Sequence, residues 1–314
     1  MKKSSSPSKL VIVGAGRVGT SLAYATMIRN IVSEIVLIDI DKKKVKGECM
    51  DLNHGVAFVE TVRVSAGDYA DCRNADYIVI TAGASQQKGE TRLALMKKNV
   101  KMLKNILPKI LKYNRTAKFI LVSNPVDILT YVALKISGLP RNQVFGSGTT
   151  LDTSRFRYLL GEEFGVSPDS IDAFIIGEHG DSEVAVFSQA QLGGTPLEKV
   201  KGYSEKKMME IYKHTKNAAY EVIKYKGSTH YAIGLVTTDI LQAMELNQHK
   251  VFPLSVMLKG EFGLKDVVLS LPCVVGAGGV ERVMEMSLSG KETVGFKASA
   301  KKMMEIIKGG KFLK

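Results

Sequence analysis

Short apolar runs alternate with longer stretches whose apolar residues recur three and four apart through the first half of the chain. That is the pattern of strands and amphipathic helices in succession. Apolar runs at 9–13, 34–39, 62–65, 76–81, 118–123 and 143–147 predict six strands, and the stretches 17–30, 42–54, 92–113 and 126–137 predict helices between them. Pro125 suits the first turn of the last of these, where a missing N–H is harmless. Repeated βαβ units imply an α/β, Rossmann-type doubly wound parallel sheet.

After residue 148 the order of elements changes. A helix at 152–164 is followed by strands at 171–176 and 183–188, helices at 204–225 and 232–247, strands at 251–258 and 266–275, and a closing helix that ends near 309. This half reads as α+β, so two domains are expected, residues 1–148 and residues 149–314.

Composition excludes several classes. Hydrophobic residues make up 45% of the 314 positions and charged residues 24%, ordinary values for a chain with a sizeable core. Cys49, Cys72 and Cys273 are odd in number and widely spaced, which argues against a disulfide framework and against a zinc site. The apolar run after the lysine- and serine-rich start is too short for a signal peptide, and no window approaches a membrane span. A cytoplasmic protein is expected, with no metal and no membrane partner. The net charge of +13 is spread along the chain rather than gathered into a basic stripe with aromatics, so it speaks for anionic small molecules and against nucleic acid.

Gly14-Ala15-Gly16-Arg17-Val18-Gly19 follows an apolar strand and opens a helix, the context in which GxGxxG binds a pyrophosphate. Gly14 permits the tight turn, Gly16 the close approach of phosphate, and Gly19 the packing of helix on strand. Asp39, twenty positions after Gly19, ends the second strand where a carboxylate would accept from ribose hydroxyls and repel a 2′-phosphate, which favours NAD over NADP. Thr81, Gly83 and Ala84 end the fourth strand and Val122 the fifth, at the edge where such sheets bind ligands.

Chemistry enters with Ile175-Ile176-Gly177-Glu178-His179-Gly180-Asp181, which sets one histidine between glycines directly after an apolar run. A strand would bring the chain in, the glycines would leave room for a substrate, and the imidazole titrates near neutrality. Asp152 and Arg155 stand three apart at a helix start and share one face. The polar segment Gln86-Gln87-Lys88-Gly89-Glu90-Thr91-Arg92 has the composition of a lid.

Five motifs in one order, GAGRVG, AGASQQKGETR, VSNPVDILTY, GSGTTLDTSRFRYLLG and IIGEHGD, make the chain resemble the lactate-type members of the lactate/malate dehydrogenase family over nearly its whole length. The resemblance implies that His179 is the acid/base, that Asp152 fixes its tautomer and raises its pKa, and that Arg92 polarises the ketone. It implies further that Arg155 grips the substrate carboxylate, while Asn124 and Thr229 line the site. Lys44, Tyr69, Val18, Asn124 and Ser147 join the expected NAD contacts, and a homotetramer is the expected assembly. Gln86 occupies the place where malate dehydrogenases of the family carry an arginine. A neutral amide cannot pair the second carboxylate of oxaloacetate, which points to pyruvate and L-lactate ahead of malate or a bulkier 2-oxo acid. Asp172 stands where allosteric members place a histidine that works with the counterpart of Arg157 on fructose 1,6-bisphosphate. An acid there repels the bisphosphate, so activation by it is expected to be weak or absent.

Overall fold

A computed structural model of the chain describes residues 8–84 and 91–313. In chain order its strands and helices are β1 (Lys9–Val13), α1 (Arg17–Ile28), β2 (Glu34–Ile38), α2 (Lys42–His54), β3 (Arg63–Ala66), β4 (Tyr77–Ile80), α3 (Arg92–Leu111), β5 (Lys118–Leu121), α4 (Val126–Ser137) and β6 (Val144–Gly146). They continue with α5 (Thr150–Phe164), β7 (Ile171–Ile176), β8 (Val184–Leu192), β9 (Thr195–Pro196), α6 (Glu205–Lys226), α7 (Tyr231–Glu245), β10 (Lys250–Lys259), β11 (Lys265–Gly276), β12 (Gly279–Val283) and α8 (Gly290–Gly310).

Strands β1 to β6 pair in parallel in the order β6-β5-β4-β1-β2-β3, the doubly wound arrangement expected. The central strands are buried along nearly their full length, because helices cover both faces and leave no polar alternation to maintain. Helix starts are specified locally. Asp41 caps α2 through the Lys44 N–H, Thr91 caps α3 through Ala94, and Ser289 with Glu292 forms a capping box on α8. Pro125 stands one residue earlier than expected, as the N-cap of α4, after a cis peptide bond.

The sheet does not end with the parallel strands. Antiparallel β10, β11 and β12 add to its edge beside β6, with Ser255 opposite Gly146, and so make nine strands. A second sheet, β7-β8-β9, packs with α5 and α6 around a smaller core that includes Phe156, Leu160 and Ile175. The Phe156 and Phe187 rings meet edge to face there at 5.4 Å. Cys49, Cys72 and Cys273 are free and buried. No helix among the described residues is long and apolar enough to cross a membrane.

Candidate active site

Two sites take shape at the carboxyl edge of the parallel strands. In the first, the chain turns out of β1 at Gly14, whose φ of +112° suits only glycine. A Cβ on Gly14 would meet the Ala82 nitrogen at 2.5 Å, and one on Gly19 would meet the Gly14 carbonyl oxygen at 1.9 Å. Both glycines are thus spent on packing. Gly16 differs, since nothing among the described residues lies within 4 Å of its would-be Cβ. It is the open face of the loop, at the N-terminus of a twelve-residue helix with neither a side-chain cap nor an acid in its first turn. Unpaired N–H groups and the positive helix end make that opening suited to an anion.

Asp39, one residue beyond the end of β2, holds the loop in place. Its Oδ2 accepts from the Ala15 N–H at 2.7 Å and its Oδ1 from Asp41 at 3.2 Å. Thr81 donates to the Gly14 carbonyl at 2.7 Å, Ala84 N–H donates to Asn99 Oδ1 at 2.8 Å, and Asn99 Nδ2 donates to the Asn124 carbonyl at 2.8 Å. Gly83 faces Ser123 across the β4 and β5 ends. Val122 and Ser147 N–H groups are bonded to Ile80 and Leu121. Val18 packs from α1 onto the core. Lys44 lies in the first turn of α2, and Tyr69 opens a short 3-10 turn under Lys109. Ile40, 96% exposed beside Asp39, offers an apolar face that sequence reasoning overlooked. A glycine-rich loop open at Gly16, a carboxylate at the strand end and an uncapped helix terminus together fit a dinucleotide such as NAD.

The second site gathers around His179. Strand β7 delivers it, but the first glycine of its loop does a different job from the one expected. Gly177 has φ +91° and pairs through its backbone with Ser270 of β11, and a Cβ there would meet Ser299 Oγ at 3.0 Å, so it serves the turn and not substrate space. His179 Nδ1 lies 2.5 Å from Asp152 Oδ2, and Asp152 Oδ1 accepts from Arg155 NH1 at 3.0 Å. Thr149 and Thr153, flanking Asp152 in sequence, bond to the Ile175 backbone and lock α5 against β7.

Electrostatics follow from this packing. Burial of Asp152 disfavours its charge, but His179 and then Arg155 outweigh that and hold it below the usual carboxylate range. Burial likewise disfavours a charged His179. The Asp152 carboxylate, helped by Asp127 and Glu183, overcomes it and lifts the imidazole to about 9. The side chain is 23% exposed, so one edge of the ring stays accessible.

Two groups near His179 were missed in the sequence. Asp127, 2% exposed in the first turn of α4, accepts the His179 backbone N–H at 2.8 Å with one oxygen and the Ser255 hydroxyl with the other. Burial pushes it up to about 6 against those two bonds. Its signal was present, three residues beyond Asn124, but nothing local tied it to a histidine 52 residues away. The other is Glu183, buried four residues after His179.

The remaining expected residues are less gathered. Asn124 is exposed at the β5 edge. Thr229 lies between α6 and α7 on a loop whose Ser228 accepts from Arg17 at 2.9 Å, which ties it to the glycine-rich loop. Arg92 opens α3 by its backbone position, and Gln86 lies outside the described residues. Arg157 donates to Asp172 at 3.1 Å and to the Ala173 carbonyl at 2.9 Å. No group of three or more metal-ligating side chains with metal-site geometry occurs among the described residues.

Comparison with known proteins bears on both sites. Residues 8–146 match the lactate/malate dehydrogenase NAD binding domain, and residues 149–313 match the alpha/beta C-terminal domain of the same family. The chain is 48% identical to an L-lactate dehydrogenase of Gloeobacter violaceus, over 97% of this chain and 94% of that protein. It is 46% identical to an L-lactate dehydrogenase of Acetivibrio thermocellus, over 96% of each. The crystal structure of a minor L-lactate dehydrogenase from Enterococcus mundtii in its ligands-bound form superposes with a TM-score of 0.94 at 40% identity, covering 96% of this chain and 98% of that one.

Proposed function

The chain belongs to the lactate/malate dehydrogenase family of NAD-dependent oxidoreductases, and from that premise we propose that it is an L-lactate dehydrogenase, interconverting pyruvate and L-lactate. The observation that carries the chemistry is one buried carboxylate, Asp152, bonded to His179 at 2.5 Å and to Arg155 at 3.0 Å, and the likeness to L-lactate dehydrogenases together with Gln86 supports pyruvate as the substrate.

That arrangement divides the labour of a carbonyl reduction. With Nδ1 committed to Asp152, the His179 proton that moves is the one on Nε2. The imidazolium gives it to the ketone oxygen of pyruvate, and the neutral ring takes it back from L-lactate. NAD would be held at the opening by Gly16 and at Asp39, on a loop shaped by Gly14 and Gly19, and would supply the hydride chemistry. Arg155 donates one NH1 hydrogen bond to Asp152 and keeps the rest of its fork for the substrate carboxylate. Arg92, brought in with its lid, stabilises negative charge as it grows on the ketone oxygen. Asn124 and Thr229 border the pocket, and Gln86 turns away a second carboxylate.

Arg157 is paired with Asp172 at 3.1 Å, and a carboxylate at that place supports weak or no activation by fructose 1,6-bisphosphate. Exposed Tyr24 and Ile28 on α1 and Tyr231 and Leu235 on the adjoining α7 support assembly, here read as a homotetramer. Three free, buried cysteines suit a reducing cytoplasm.

The test is steady-state NADH oxidation with pyruvate, oxaloacetate and a branched 2-oxo acid, each with and without fructose 1,6-bisphosphate. Pyruvate should give the highest kcat/KM, with its half-saturation unmoved by the bisphosphate. A preference for oxaloacetate would replace this reading with a malate dehydrogenase, and a branched acid in first place with a bulkier 2-oxo acid dehydrogenase.

A further inference from the structure

Glu183 closes the turn after His179, its N–H donating to the Gly180 carbonyl at 3.1 Å. The residue is 6% exposed, and its Oε1 has no hydrogen-bond partner among the described residues. Its backbone is anchored as well, since the Tyr212 hydroxyl of α6 donates to the Glu183 carbonyl. The charged groups facing its carboxyl are Asp152 and Arg155 of α5, His179 of its own loop and Lys216 of α6. Lys216 is itself held to the Asp181 carbonyl at 2.7 Å.

A carboxyl so enclosed, with one oxygen unsatisfied, is costly to ionise. Burial comes first among the causes and the neighbouring Asp152 charge adds to it, while His179, Lys216 and Arg155 oppose, leaving Glu183 protonated up to about 8. The coupling runs both ways, because a charge on Glu183 in turn favours the imidazolium of His179.

Resting on the reaction proposed above, we propose that Glu183 is a positioning residue that stores a proton beside the Asp152–His179 pair at neutral pH and releases it to solvent in alkali, so that His179 stays protonated, and pyruvate reduction persists, to higher pH. The step is a simple ionisation. The carboxyl O–H loses its proton to water, and the carboxylate left behind steadies the imidazolium.

The pH profile of kcat/KM for pyruvate reduction, measured for the wild type and Glu183→Gln, tests this. Glutamine imitates the protonated acid and cannot ionise. The ratio of variant to wild-type kcat/KM should fall about tenfold between neutral and strongly alkaline pH, a shift of the alkaline limb by about one unit. A ratio constant across pH would overturn the proposal and leave Glu183 with a packing role only. Should Glu183→Gln not fold, the infrared carboxyl band of the wild type decides. A protonated carboxyl should be present at neutral pH and vanish as pH passes through about 8, and its absence at neutral pH overturns the proposal. If the wild type reduces no 2-oxo acid, the reading of the reaction fails while the infrared titration still judges Glu183.

Discussion

Residues 14–19 build their site from six consecutive backbone positions, whereas the cluster around His179 collects Asp127, Asp152, Arg155 and Glu183 from α4, α5 and the loop after β7. The first site works by what is missing: glycines let backbone approach backbone and leave one opening, at Gly16, for an anion. The second works by what is shared, because each oxygen of Asp152 and of Asp127 has its own partner. The contiguous site carries its opening in one segment and draws on Asp39 and Thr81 only to hold that segment in place, while the shared one takes its working groups from every element that feeds it.

The sharpest break of the second site is at its centre. His179→Asn should lower turnover by about 10²–10⁴-fold while NADH binding, followed by fluorescence, stays near the wild type. Retained turnover would remove His179 from its role. In the unaltered protein, pyruvate reduction needs the imidazolium and should fall as pH rises through about 9, and lactate oxidation needs the neutral ring and should rise over the same range.

The complementary break falls on the first site. Gly19→Ala places a Cβ 1.9 Å from the Gly14 carbonyl oxygen, so the loop must shift. With overpacking worth about 1–3 kcal/mol, NADH affinity should weaken about tenfold or more, with the pH dependence of turnover at saturating NADH unchanged. An unaltered dissociation constant would show that the loop absorbs the methyl group.

Smallest is the effect at the margin of the second site. Asp127→Ala leaves the His179 N–H and the Ser255 hydroxyl without their acceptor, a cost of about 1–3 kcal/mol. The expected result is a lower Tm and a severalfold lower kcat with KM for NADH unchanged. A loss confined to Tm would assign Asp127 to stability alone.

Legibility in the sequence follows the same division. Strand β1 lies where its apolar run predicts, and the turn at Gly14 and the helix start at Arg17 follow the glycine spacing because both depend on local backbone freedom. His179, Asp152 and Arg155 were legible through residue type, flanking glycines and helical spacing. Asp127 and Glu183 were not, since a carboxylate in the first turn of a helix or at the end of a turn is ordinary until its burial is known. The edge strand β12 escaped too: Gly279–Val283 carries Glu281 and Arg282, exposed on the rim of the sheet, and an edge needs little apolar pattern.

What the amino-acid order determined by itself was the alternation of strands and helices that implies a doubly wound sheet, the glycine-rich loop and the kinds of side chain available for proton transfer, all features written in neighbours within a few positions. Only the tertiary structure decided that β10 continues the sheet from β6, that Gly177 is spent on a backbone turn, and that His179 titrates among three buried carboxyl groups. Pairing and burial are properties of distant segments brought together, and a proton's affinity depends on the charges and solvent that this assembly leaves around it.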